Sequence, residues 1–182
     1  MKIKQIAVIG ASSSVCSEEL YEFGVQLGEM LGDLNMTVLN GGRDGTMEAV
    51  FKGVHQSKNY KHGMTIGITP AQEKIGHNEY CDIVIPTGIG YTRNSIVANA
   101  GDVVIALGGG SGTLNEISFA WTWGKPILAL VGFGGWSEKM AGQALDHRRG
   151  DDIILPVHSI EEIRTQIELI ANDSSKAYTR VK

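Results

Sequence analysis

The sequence predicts a single α/β domain of Rossmann-like architecture, in which a doubly wound parallel sheet carries helices on both faces. Two observations carry this prediction. Apolar runs of strand length alternate with segments of helical period from residue 5 to residue 171. The runs IAVIG, DVVIAL and PILALVG are apolar at consecutive positions, as expected of parallel strands that are buried on both faces.

The elements follow one another in the order of repeated βαβ units. The predicted strands cover residues 5–9, 37–39, 64–69, 82–86, 103–107, 127–131 and 153–156. The predicted helices cover residues 18–31, 46–54, 93–99, 113–123, 136–145 and 159–171. Ser159 and Glu162 have the spacing of a capping box, which marks the start of the last helix. Crossover connections of this kind join parallel strands, so the order itself predicts a parallel sheet.

One domain accounts for nearly the whole chain. The 182 residues, 42% of them hydrophobic, are enough for one substantial core and few for two. We expect the Rossmann-like domain to span residues 1–171. Residues 172–182 are polar and are predicted to form a C-terminal tail.

The composition and charge of the chain limit the kinds of partner that we expect it to bind. A net charge of -4 provides no general field for nucleic acid or an anionic membrane, so we expect neither as a partner. The two cysteines and five histidines show no metal-ligand spacing, and no metal or other cofactor is expected. The N-terminal apolar run is too short for a signal peptide, and no stretch approaches 18 apolar residues, which favours a cytoplasmic protein.

Three turns rich in glycine and small residues follow predicted strands, where open parallel sheets bind their ligands. Glycines expose backbone N–H groups, and a helix start adds the positive end of its dipole, so such turns suit a phosphate. The predicted phosphate-binding residues are Gly10, Ser12 and Ser13 in the first turn, Gly41, Gly42, Gly45 and Thr46 in the second, and Gly109, Gly110, Ser111, Gly112 and Thr113 in the third. A glycine-rich turn can also serve only to let a helix pack closely on a strand. Three such turns at equivalent positions of the sheet favour the binding of a phosphate-bearing, nucleotide-like ligand. None of them matches the P-loop or dinucleotide fingerprint.

The third turn also carries a family pattern. GGSGTLNE at residues 109–116 resembles the GGxGTxxE signature of the Lonely Guy (LOG) family, long mislabelled as possible lysine decarboxylases. The IGASSS and NGGRDGTMEAVFKG segments resemble its first two loops, and the resemblance spans residues 4–170. It implies a phosphoribohydrolase that cleaves the N-glycosidic bond of a nucleoside 5′-monophosphate, with Arg93 and Glu116 as the catalytic pair. It also implies a homo-oligomer, a dimer in which helices pack across a two-fold axis and a neighbouring subunit closes each site.

Glycosidic cleavage passes through an oxocarbenium-like sugar, which a carboxylate such as Glu116 can stabilise while it orients or deprotonates water. Glu48 is a second candidate carboxylate. Two positions depart from the family pattern: Gly108 replaces the leading proline of the signature, and Asn94 replaces the lysine that follows the arginine in active enzymes. These departures keep open a second class of function, a non-catalytic carrier or sensor of a nucleotide or of a phosphorylated cofactor such as molybdenum cofactor.

Overall fold

The computed structural model describes residues 3–172, so residues 173–182 of the predicted tail lie outside the described residues. Seven strands are formed in this range: β1 (Gln5–Gly10), β2 (Thr37–Asn40), β3 (Thr65–Thr69), β4 (Ile83–Pro86), β5 (Val103–Leu107), β6 (Ile127–Leu130) and β7 (Leu155–Val157). Six α-helices accompany them: α1 (Glu18–Asp33), α2 (Thr46–Gln56), α3 (Asn94–Ala100), α4 (Ser111–Thr122), α5 (Gly135–Met140) and α6 (Ile160–Asn172). Each strand and helix predicted from the sequence has a counterpart at its expected place.

The strands form one parallel sheet in the order β4-β3-β2-β1-β5-β6-β7. The chain therefore builds outward from β1 in one direction and then restarts at β5 on its other side. The predicted fold class, a doubly wound parallel sheet of Rossmann type, is confirmed. Because the order reverses between β1 and β5, a crevice is expected beyond the carboxyl ends of these two strands.

Two apolar layers hold the helices against the sheet. Residues Ile6 and Val8 of β1 pack into the layer beneath α1, α2 and α6, whereas Ala7 and Ile9 pack into the layer beneath α3 and α4. All four side chains are almost completely buried. Successive side chains of a strand point to opposite faces, and both faces of β1 are buried. This explains why β1 is apolar at consecutive positions, as predicted.

The apolar residues of β4, at the edge of the sheet, are less buried than those of β1. Ile83 and Ile85 pair in register with Ile66 and Ile68 of β3, so their side chains lie on the face that carries α3. They are 41% and 45% exposed. Among residues 3–172, no helix therefore fully covers this face of the edge strand.

The fifth helix is shorter than the predicted 136–145, since α5 ends at Met140. The backbone beyond it pairs with the segment before β7: Gly142 N–H donates to Ile154 C=O at 2.8 Å, and Ile154 N–H donates to Gln143 C=O at 2.9 Å. Tertiary pairing thus replaces the last helical turn. Among residues 3–172, no helix is both long and apolar enough to span a membrane.

Candidate functional site

A cavity of about 540 Å³ lies beyond the carboxyl ends of the central strands. Its walls come from the loops after β1, β2 and β5 and from the turn before α3, the place expected for a ligand in this topology. The volume falls in the range of small-molecule sites. Of the residues singled out from the sequence, the lining includes Gly10, Ser12, Ser13, Gly41, Arg93, Gly110, Ser111, Gly112, Thr113 and Glu116.

Four other predicted ligand residues lie outside this lining and have visible packing roles. Gly42 lies against Gly67 of β3, and Gly109 lies against Thr113. Gly45 is packed on the backbone of the first loop. The Thr46 hydroxyl is fully buried and donates to the Ala11 carbonyl at 3.0 Å.

The start of α4 is the part of the cavity best suited to an anion. The first backbone hydrogen bond of the helix runs from Leu114 N–H to Gly110 C=O, at 3.1 Å. The N–H groups of Ser111, Gly112 and Thr113 precede it and have no acceptor within the helix, and the Gly110 cap supplies no side chain. These three residues line the cavity, so donors that have no partner among residues 3–172 meet the positive end of the helix dipole there.

The turn before α4 explains one departure from the LOG pattern. Gly108 has a φ of +61°, whereas proline is locked near -65°. Its backbone is held in this conformation from both sides: Gly108 N–H donates to the Ser137 hydroxyl at 2.8 Å, and Gly108 C=O accepts from Ser137 N–H at 3.1 Å. A proline at this position would require a different turn, so the glycine marks a local change of backbone and not only of side chain.

The cavity wall contains a buried ion pair. Arg93 Nη1 lies 3.3 Å from Glu116 Oε1, with the two residues only 5% and 7% exposed. Arg93 ends a 3-10 turn just before α3, and Glu116 lies in the second turn of α4. Arg93 Nη1 also donates to Asn94 Oδ1 at 2.6 Å, and the Asn94 amide donates to Asn115 Oδ1 at 3.2 Å. Among the described residues, the buried Arg93 Nε has no hydrogen-bond partner.

Burial dominates the electrostatics of this pair. Burial raises the pKa of Glu116 to about 7, although the charge of Arg93 acts in the opposite direction. Burial also lowers the pKa of Arg93, with a smaller contribution from the nearby charge of Arg43 and an opposing one from Glu116. Near neutral pH, both protonation states of Glu116 are therefore populated, which is a property of acid or base groups.

A second carboxylate in the cavity was missed by sequence reasoning. Asp44 lines the cavity, where its Oδ1 accepts the Ser13 N–H at 3.2 Å and its Oδ2 accepts the Ser13 hydroxyl at 2.7 Å. The Ser13 hydroxyl is the main cause of a lowered pKa at Asp44. The sequence feature that could have identified Asp44 is its position within the second glycine-rich turn.

Glu48, the second candidate carboxylate, lies beside α1 and outside the cavity lining. It accepts a hydrogen bond from the Tyr21 hydroxyl at 2.9 Å.

The close approach of Gly41 to Arg93 yields a testable expectation. A Cβ at residue 41 would overlap the guanidinium of Arg93 and come 2.9 Å from the sulfur of Met47. We expect Gly41→Ala to push the guanidinium away from Glu116 and to raise the pKa of Glu116 further above about 7, as measured by carboxyl ¹³C NMR titration. The overpacking should cost about 1–2 kcal/mol, a loss of roughly 2–6 °C in melting temperature.

Gly110→Ala is the matched control, because a Cβ there meets nothing within 4 Å although the residue lines the same cavity. It should leave the Glu116 titration unchanged. An identical titration in Gly41→Ala and wild type would contradict the assignment of Gly41 as the residue that makes room for Arg93.

Comparisons with known proteins agree with this architecture. A family model described as the SLOG cluster4 family matches residues 3–164. An uncharacterized protein of Archaeoglobus fulgidus is 38% identical over 130 residues, which cover 71% of this chain and 82% of that protein. The cytokinin riboside 5′-monophosphate phosphoribohydrolase of Mycobacterium tuberculosis is 30% identical over 140 residues, which cover 71% of each chain.

Solved structures share the whole fold. The X-ray structure of TM1055 matches with a TM-score of 0.82 and 34% identity, covering 92% of this chain and 99% of that one. The molybdenum cofactor binding protein of Rippkaea orientalis matches with a TM-score of 0.77 and 29% identity, covering 93% and 98%. Since the family model spans all seven strands and every residue that lines the cavity, this chain belongs to the SLOG cluster4 family.

Proposed function

We propose that this protein binds a nucleoside 5′-monophosphate in the cavity and hydrolyses its N-glycosidic bond, releasing the free base and ribose 5-phosphate. The observation that carries the proposal is the buried Arg93–Glu116 pair, which shares the cavity with the unpaired amides at the start of α4. A phosphate on those amides puts the attached sugar near the next turn of the helix, where Glu116 lies.

Each group has a defined task in this reaction. The first turn of α4 binds the phosphate through backbone N–H groups, so this step needs no lysine. Ionised Glu116 stabilises positive charge as the bond from C1′ to the base breaks, and it takes a proton from the water that adds to C1′. The base leaves with the bonding electron pair and receives the proton that Glu116 took from the water, so Glu116 returns to its ionised form. Arg93 fixes the orientation of the carboxylate through its Nη1 contact.

The similarity to the M. tuberculosis phosphoribohydrolase supports this proposal, as does the retention of arginine and glutamate at the positions that the LOG resemblance implies. No metal takes part in the proposed reaction.

The second candidate function is that of a non-catalytic carrier, which binds a nucleotide or a phosphorylated cofactor such as molybdenum cofactor and does not catalyse a reaction. The observation that favours it is Asn94, which stands where the active enzymes have lysine and whose amide is occupied by Arg93 and Asn115. The similarity to the molybdenum cofactor binding protein of R. orientalis supports it as well.

We further propose that the protein acts as a homodimer through the uncovered face of β4. Ile83, Ile85 and Ile96 of this region are each more than 40% exposed. Tyr91, 74% exposed, follows β4 in the chain and also lines the cavity, so a second copy on this surface would lie at the cavity mouth. An exposed apolar surface of this kind favours a partner, and a two-fold dimer covers it with its own copy.

Base release from a panel of nucleoside 5′-monophosphates tests the catalytic proposal. We expect chromatography to detect free base and ribose 5-phosphate from at least one member of the panel. Glu116→Gln keeps the shape of the side chain but has no ionisable carboxylate, and it should lower the rate by about 100-fold or more. No release from any member, together with thermal stabilisation by a phosphorylated ligand, would favour the carrier.

The pH dependence of hydrolysis gives a second test. The reaction needs ionised Glu116, and the pKa of this group is raised to about 7, so kcat/KM should rise as the pH increases through about 7 and then level off. The substrate phosphate titrates near pH 6, and the affinity of Glu116→Gln for ribose 5-phosphate at each pH measures that contribution separately. A kcat/KM that falls across this interval would rule out the ionised carboxylate as the working form.

The dimer is tested by light scattering coupled to size exclusion. The wild type should have twice the 19.6 kDa mass of one chain, whereas Ile85→Asp should shift the mass towards one chain and reduce base release. Leu169→Asp, at a 58% exposed position on α6, is the matched control and should remain dimeric. A monomeric wild type with full activity would refute this interface.

A further inference from the structure

Asp44 gives one part of the cavity wall a chemistry that differs from that of the start of α4. It belongs to the loop after β2, yet its carboxylate is bonded to the backbone and side chain of Ser13 in the loop after β1. The Ser13 N–H and hydroxyl are donors that a phosphate in the first loop would need. A carboxylate of the protein itself already occupies them.

These two parts of the cavity wall therefore differ in the ligand groups that they can bind. At α4, the amides of the first turn and the Nε of Arg93 are donors without a partner among the described residues. At the first loop, the carboxylate is partly exposed and lines the cavity. A carboxylate has about four lone-pair positions, of which Ser13 uses two, so Asp44 can still accept hydrogen bonds.

The negative charge of Asp44 disfavours a second anion beside the first loop. It favours hydroxyl or N–H donors, and acidic side chains bind ribose hydroxyls in this way in dinucleotide-binding folds. Ser12 and Ser14 line the cavity beside it, with their hydroxyl oxygens 3.1 Å apart, and they add neutral polar contacts. Arg43 also lines the cavity nearby, and its charge contributes to the lowered pKa of Asp44. Its side chain is exposed, so solvent weakens the effect of this charge on a ligand.

We propose that Asp44 is a specificity-determining residue, which accepts hydrogen bonds from the ribose hydroxyls of a ligand whose single phosphate is bound by α4, and which excludes ligands with a second phosphate. This inference rests on the proposed function, since it takes the ligand to be a nucleoside monophosphate. It assigns the first loop to the sugar and leaves the phosphate to the third.

Calorimetric titration with three nucleotides that share a base and a 5′-phosphate tests the inference. The probes are AMP, 2′,3′-dideoxy-AMP and adenosine 3′,5′-bisphosphate. The wild type should bind AMP about tenfold or more tightly than either of the other two, the scale of one hydrogen bond to a charged group. In Asp44→Asn, the penalty for the second phosphate should disappear and the preference for the ribose hydroxyls should fall several-fold.

Three variants separate the alternatives. Ser13→Ala keeps the carboxylate and should keep both preferences, so their loss in this variant would assign them to the shape of the loop. Arg43→Ala should not abolish the preference for the ribose hydroxyls. Asp151→Asn makes the same charge change at an exposed residue outside this cavity and should leave all three affinities unchanged.

The outcomes keep the two proposals distinct. Equal discrimination by the wild type and Asp44→Asn, with AMP bound by both, would overturn the role of Asp44 and leave the proposed function intact. The pair of ribose 5-phosphate and 2-deoxyribose 5-phosphate repeats the comparison without a base. Failure of every phosphorylated probe to bind would overturn the proposed function and this inference together.

Discussion

The end of β1 is the point on which the site depends. Two threonines from different helix starts bond to it: Thr46 donates to the Ala11 carbonyl at 3.0 Å, and Thr113 donates to the Gly10 carbonyl at 3.1 Å. The Ala11 N–H is bonded in turn to Leu107 at the end of β5. These hydrogen bonds tie α2, α4 and β5 to one short segment of backbone, so the three loops around the cavity have fixed positions relative to one another. The reversal of strand order beside β1 opens the crevice, and these contacts define its walls.

The buried ion pair is costly in this setting. Removing two charges from water costs several kcal/mol, and good geometry with complete hydrogen bonding is needed to offset that cost. The Arg93–Glu116 contact is long at 3.3 Å, and Arg93 Nε has no partner among the described residues. An incomplete pair of this kind contributes little to folding. Buried ionisable groups with strongly shifted pKa values that line a cavity are typical of functional sites.

The sequence predicted what depends on local pattern and missed what depends on packing between loops. The strand order in the chain, the helix starts and the loops after β1, β2 and β5 were visible because period and turn residues act locally. Thr46 was predicted to contact the ligand; its hydroxyl bonds to the first loop, and Thr46 is not among the residues that line the cavity. Asp44 was missed because its partner Ser13 lies 31 residues away. The exposure of Ile83 and Ile85 depends on the edge position of β4, which no pattern within that strand could reveal.

The negative charge of Glu116 favours hydrolysis but weakens the binding of a phosphorylated ligand, so it distinguishes an enzyme from a carrier. Ionised Glu116 stabilises an oxocarbenium-like sugar, so hydrolysis requires the form that dominates above a pH of about 7. The same negative charge repels a phosphate dianion in a cavity that the two share. A bound anion therefore raises the pKa of Glu116 and is held more tightly as the pH falls. In an enzyme this repulsion is offset, because the same charge stabilises the transition state. A carrier gains nothing from it, because an amide of the same shape would bind Arg93 without the charge.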